Sequence, residues 1–120
     1  MIQKVAFTMY PVQDSARARA FYGETLGLKH GSASENGIWT EYDLPGGGCL
    51  ALFKTDDIQP SASAGGSVAL EVDDLDAVCA DLAAKGVTFK AKDIKSPVCR
   101  MAVILDSEGN SILLHQLNKK

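Results

Sequence analysis

The sequence predicts an α+β fold made of two copies of a βαβββ module, and three observations carry that expectation. Two stretches read alike: V-A-F-T-M-Y-P-V-Q-D-S-A-R-A leads into one helical run, and S-V-A-L-E-V-D-D-L-D-A-V leads into another. The punctuation repeats as well, with Asp14 and Asp74 60 residues apart and Gly27 and Gly86 59 apart. Each helical run is then followed by two or three short runs rich in β-branched and aromatic residues, divided by turn residues. A period this long marks a duplicated module rather than a solenoid. One small sheet with one helix is marginal alone, so the two sheets are expected to curl around a shared, cleft-enclosing concave face. Module one is placed at about residues 1–58, a linker at about 59–66 and module two at about 67–120, together making one domain.

Each element has a local reason. Residues 4–10 are rich in Val, Phe, Thr, Met and Tyr and read as a strand that Pro11 ends. Asp14 and Ser15 are N-cap candidates for a helix whose apolar face is Ala18, Phe21, Tyr22 and Leu26, with Gly27 as its left-handed cap. Arg17 and Arg19 fall on the wet side of that helix. Residues 28–37 read as a polar connection holding His30, residues 38–43 as a strand, and residues 45–48 as a glycine-rich turn. That turn is not a phosphate loop, because neither Lys-Ser/Thr nor a helix follows it. Residues 49–54 form the next strand.

In the second half, residues 67–72 read as a strand and Asp73 or Asp74 as the cap of a helix burying Leu75, Val78, Cys79 and Leu82. Gly86 closes that helix. Residues 87–90 make a short strand, residues 94–97 a turn, and residues 99–105 a strand. The chain then enters a hairpin over residues 104–116, where Gly109 and Asn110 both tolerate the positive φ of a strand reversal.

Composition narrows the function. The net charge is −3 with Lys and Arg scattered, so no basic footprint for nucleic acid exists. No apolar run reaches spanning length and no leader is evident, so a soluble cytoplasmic protein with no membrane partner is expected. The three cysteines, Cys49, Cys79 and Cys99, are odd in number and lack any C-x-x-C, which argues against a disulfide framework or a zinc knuckle. Each is read as a small buried hydrophobe.

The segments Val12-Gln13-Asp14, Phe21-Tyr22, Leu26-Gly27-Leu28, Glu71-Val72-Asp73-Asp74-Leu75-Asp76 and Lys85-Gly86-Val87 together resemble the vicinal oxygen chelate superfamily. That superfamily includes glyoxalases, extradiol dioxygenases, fosfomycin-modifying enzymes and bleomycin-binding resistance proteins. Asp106-Ser107-Glu108-Gly109-Asn110 departs from the family's usual Asp-Pro-Asp-Gly-Asn only at its second and third positions. The resemblance covers essentially the whole chain and implies the glyoxalase-like fold. Metal-dependent members place a His or Glu seven residues before the helix-leading Asp, and a Glu on the last strand, of each half. Carried onto this sequence, those positions are Phe7, Ser67, Ala51 and Leu113, none of them a good ligand for a divalent ion. A shift of one residue offers Thr8, Leu50, Leu52, Ile112 and Leu114, which serve no better. No metal and no other cofactor are therefore expected.

Alternation places Val5, Phe7 and Met9, Cys49, Ala51 and Phe53, Ser67, Ala69 and Glu71, and Ser111, Leu113 and His115 toward the cleft. Trp39 and Glu41 alternate and share a face; Trp39 stacks on a planar ligand or belongs to an amphipathic core or interface. The expected ligand contacts are Phe7, Met9, Trp39, Glu41, Ala51, Phe53, Ser67, Leu113 and His115. Glu71 is the one catalytic candidate, since a carboxylate in an apolar cleft has a raised pKa and serves as acid or base; the alternative is a sheet-edge carboxylate, solvated or paired with a lysine. His115 reads as a base, a ligand or a plain sheet-edge histidine. The leading functional expectation is metal-free binding of a small apolar or aromatic molecule by a homodimer. The alternative is a metal-dependent lyase, isomerase or dioxygenase with atypical ligands.

Overall fold

The structure is a computed structural model that describes residue 1 and residues 3–118. The chain divides into two compact units, residues 1–60 and residues 61–120. Each contains one four-stranded sheet and one helical segment.

The first unit runs β1 (Thr8–Val12), α1 (Ser15–Arg19), a π-helical continuation (Ala20–Thr25), β2 (Lys29–Ala33), β3 (Trp39–Asp43) and β4 (Cys49–Lys54). Its sheet order is β1-β4-β3-β2, with β1 parallel to β4 and the other pairs antiparallel. The Asp14 side chain caps α1 by accepting from the Arg17 N–H at 3.0 Å. The Ser15 hydroxyl instead donates to the Gly37 carbonyl at 2.9 Å. Tyr10, Val12, Thr40, Tyr42, Leu50 and Leu52 alternate onto one face and are buried, along with Ala18, Phe21 and Tyr22 of the helical segment. Rings of Tyr22 and Tyr42 lie 6.2 Å apart, joining helix to sheet.

Three features of this unit depart from the sequence reading. Pro11 lies inside β1 opposite Phe53 rather than ending it. An edge strand leaves one row of backbone groups unpaired, so a residue without an N–H fits there. Residues 29–33, read as part of a connection, form the edge strand β2. All five of its residues are exposed, so no apolar alternation announces it, and a bulge interrupts its register. Arg19 is not a solvated charge, because its guanidinium donates to Thr40 Oγ1 and to the Gly37 carbonyl, both at 3.1 Å.

The second unit runs β5 (Val68–Glu71), α2 (Leu75–Ala84), β6 (Phe89–Lys95), β7 (Cys99–Leu105) and β8 (Ser111–Leu117), in sheet order β5-β8-β7-β6. β5 is parallel to β8, and the remaining pairs are antiparallel. Asp74 caps α2 through the Ala77 N–H at 3.1 Å. Leu75, Leu82, Ala102, Ile104, Ile112 and Leu114 form the buried core. β6 runs five residues beyond its expected end, because the ladder survives a bulge at Asp93, whose φ is +58°. Of the cysteines, Cys99 is buried, whereas Cys49 and Cys79 are half-buried.

The β7–β8 hairpin is organised by its own turn. Gly109 takes a φ of +93°, while Asn110 stays outside the left-handed region and is 4% exposed. The buried Asp106 carboxylate accepts from the Glu108 N–H (2.8 Å), the Asn110 N–H (2.8 Å) and the Asn110 side-chain amide (3.0 Å). The Asn110 side-chain oxygen in turn accepts from the Ser61 N–H at 3.1 Å, which ties the start of this unit to its last hairpin.

Candidate functional site

Strand alternation gives each sheet a second face, opposite its helix-packed one. In the first unit the ladders put Met9, Ala51 and Glu41 in one row and Pro11, Phe53 and Trp39 in the next. The Trp39 ring lies between two others: Phe7 at 5.2 Å, edge-on, and Phe53 at 5.9 Å, tilted. These are the separations at which ring quadrupoles attract. Phe7 stays 44% exposed, so the aromatic cluster has an open side. Glu41 is its polar member. One carboxylate oxygen accepts from the Trp39 indole N–H at 2.7 Å, and the other lies 3.7 Å from Cys49 Sγ, whose thiol donates. Burial first, then the Glu41 charge and hydrogen bond and the Asp43 charge, push the Cys49 thiol above its ordinary value.

In the second unit the corresponding face carries Glu71, His115 and Met101 in one row, and Ala69, Leu113 and Val103 in the next. The Glu71 carboxylate meets His115 Nδ1 at 2.5 Å, and its second oxygen accepts from the Leu117 N–H at 3.1 Å. The hydrogen bond from His115, then that from Leu117, lowers the Glu71 pKa below its ordinary value. The raised pKa expected for this residue is thereby corrected. Glu71 is exposed and held by donors, so its ionised form is the favoured one. His115 is not at a sheet edge, since β8 is an interior strand. Ser67 donates to the Ser111 carbonyl at 2.8 Å and lies 2.9 Å from the Ser111 hydroxyl. His30 stands apart from both groups, in β2, edge-on to the Tyr42 ring at 5.9 Å.

The residues present do not fit a divalent metal at the family's ligand positions. Phe7, Ala51 and Leu113 have no donor atom, and the neutral Ser67 hydroxyl is engaged with Ser111. Among the described residues, no three His, Cys, Asp or Glu side chains come together in a way that could hold a metal ion. No helix among them is long and apolar enough to cross a membrane.

Two features escaped the sequence reading. Met101 lies directly opposite His115, and the alternation of Met101, Val103 and Leu105 along β7 was the available signal. The pairing of Glu71 with His115 depends on the parallel β5–β8 register across 44 residues, which no local pattern encodes.

The fold and these two faces define a protein built from two βαβββ units, and comparison with known proteins gives the class. The family model for the Glyoxalase/Bleomycin resistance protein/Dioxygenase superfamily matches residues 4–114, and the chain belongs to that superfamily. Among solved structures it is similar to TnmS3, an antibiotic binding protein from Streptomyces sp. CB03234, with 30% identity, a TM-score of 0.83 and 98% of each chain covered. A glyoxalase/bleomycin resistance protein from the same organism is 32% identical, with a TM-score of 0.77, over 94% of this chain and 100% of that one. A superfamily member from Sphaerobacter thermophilus DSM 20745 is 26% identical, with a TM-score of 0.80, over 96% and 98%. No match is found among curated proteins.

Proposed function

We propose that this protein binds a small apolar or aromatic molecule without a metal, against the Phe7–Trp39–Phe53 face of its first unit. The observation that carries the reading is the aromatic cluster itself: three rings at stacking separations, open at Phe7, beside the half-buried Met9 (Ala51, expected as a contact, is fully buried). Apolar burial and ring stacking supply affinity, and Glu41 supplies one oriented polar contact. The similarity to an antibiotic binding protein over nearly the full length of both chains supports a binding role. The absence of donor atoms at Phe7, Ala51 and Leu113 supports a metal-independent one. A homodimer working in the cytoplasm belongs to the same proposal, and sedimentation at varied concentration tests the dimer.

The chain has a single tryptophan, so its fluorescence reports this face alone. Titration with planar polycyclic compounds should quench Trp39 saturably, with and without EDTA, whereas aliphatic compounds of matched size should not. Trp39→Ala should weaken planar-compound binding, read by calorimetry, by at least about tenfold. Failure of planar and aliphatic compounds alike to bind saturably, or binding that vanishes with EDTA and returns with a divalent ion, sinks the reading.

A further inference from the structure

The second unit holds a polar group that the aromatic face does not explain. His115 and Glu71 lie opposite each other in the parallel β5–β8 ladder, and their side chains meet at 2.5 Å on the face away from α2. Glu71 is fixed at both oxygens, by the imidazole and by the Leu117 N–H. A carboxylate can only accept, so the neutral imidazole must carry its proton on Nδ1. That leaves Nε2 as an acceptor, and it has no hydrogen-bond partner among the described residues. The His115 side chain is 25% exposed, which leaves the ring reachable but not free to turn. Its neighbours on the face are apolar: Met101 across the ladder, Leu113 two residues back, and Ala69 and Val103 beside Leu113.

A lone, oriented proton acceptor on an apolar sheet face selects a particular chemistry. A hydrated cation would have to give up its water shell on an otherwise apolar face for one nitrogen ligand, and an anion is repelled by the Glu71 charge. A weakly acidic hydroxyl on an apolar body donates to Nε2 while its body covers the Leu113 and Met101 side chains. Any proton drawn toward the imidazole makes a cation that Glu71 stabilises. We propose that Glu71 and His115 form a binding dyad for a molecule presenting a phenolic or enolic hydroxyl, with His115 Nε2 as the acceptor and Glu71 as the positioning residue. This site lies wholly within the second unit and does not depend on the aromatic face of the first.

The test uses 2-naphthol and its methyl ether, 2-methoxynaphthalene, which match in shape and differ in the donor. The chain has two histidines, so the imidazole nitrogen signals of ¹⁵N-labelled protein are assigned with a His30→Gln variant. Free protein, at a pH high enough for the imidazole to be neutral, should show His115 as the Nδ1–H tautomer. 2-Naphthol should shift the Nε2 signal and bind about fivefold more tightly than the ether. His115→Phe should abolish that preference, and Trp39→Ala should leave it intact. Glu71→Gln keeps an acceptor for Nδ1–H and should retain the tautomer with a weaker naphthol shift, whereas Glu71→Leu should lose the tautomer preference. Equal binding of naphthol and ether, an unmoved His115 signal, or an Nε2–H tautomer in the free protein overturns the proposal. Loss of the preference in Trp39→Ala assigns the hydroxyl contact to the first unit and overturns it equally.

Discussion

The Glu41 carboxylate accepts a 2.7 Å hydrogen bond from the indole of Trp39, two residues earlier on β3. The same carboxylate takes the Cys49 thiol on its other oxygen, so one acid sets both a ring orientation and a thiol proton. Glu41→Gln removes the negative charge that raises the Cys49 pKa, after burial the largest cause of that shift. More thiolate should then be present at pH 8, and iodoacetamide should alkylate Cys49 several-fold faster than in the wild type. Peptide mapping of a timed reaction separates Cys49 from Cys79 and Cys99, and an unchanged Cys49 rate would show that burial alone protects it.

The last hairpin should be the costliest place to remove a single side chain outside the apolar core. Asp106→Ala takes away the acceptor for two backbone N–H groups and the Asn110 amide, in a turn where both side chains are buried. Donors left unsatisfied cost about 1–3 kcal/mol, so a loss of about 3 kcal/mol is expected in urea unfolding, with the slope unchanged. Gly109→Ala, at a φ of +93°, should cost about 1 kcal/mol, because the residue strains a backbone that glycine alone adopts freely.

How much of this was legible beforehand follows from where each interaction is encoded. The duplicated module was readable because caps, apolar faces and turn glycines are local signals, and both Asp14 and Asp74 do cap their helices. Edge strand β2 was not, because a ladder to β3 holds five exposed residues that carry no apolar period. Alternation told that Trp39 and Glu41 share a face, but not that they bond. Glu71 and His115 each stand out in the sequence, but their pairing does not. The sequence leaves Glu71 either a cleft carboxylate with a raised pKa or a sheet-edge one, solvated or paired with a lysine; it lies on edge strand β5, where the parallel register supplies a histidine and a backbone donor instead.

The two helix caps offer a matched pair of substitutions. Asp14→Ala and Asp74→Ala each remove one side-chain acceptor from a helix N-terminus, bonded at 3.0 and 3.1 Å. Each should cost about 1 kcal/mol in chemical unfolding, and Asp→Asn at either site should cost less than half of that. A cost near zero at Asp14 alone would show that the bond from Ser15 to the Gly37 carbonyl secures the start of α1 by itself.

Acid should weaken the second unit through Glu71 in a definite direction. Its folded pKa lies below the ordinary value of 4.5, chiefly because His115 donates to it, then because Leu117 does. Folding thus holds the carboxylate ionised more firmly than the unfolded chain does. The resulting stability is complete above the ordinary value and drains away as pH falls through the lowered one. Asp76, lowered by its bonds of 2.7 and 3.3 Å to Arg100, acts in the same sense. Melting temperature measured from pH 7 to pH 2.5 should therefore fall steeply only below the ordinary carboxylate range. Glu71→Gln should flatten that acid limb while leaving the limb's Asp76 share in place, and Glu71→Gln with Asp76→Asn should flatten it further. An acid limb unchanged in Glu71→Gln would mean that the His115 contact confers no protonation-linked stability, whatever its length.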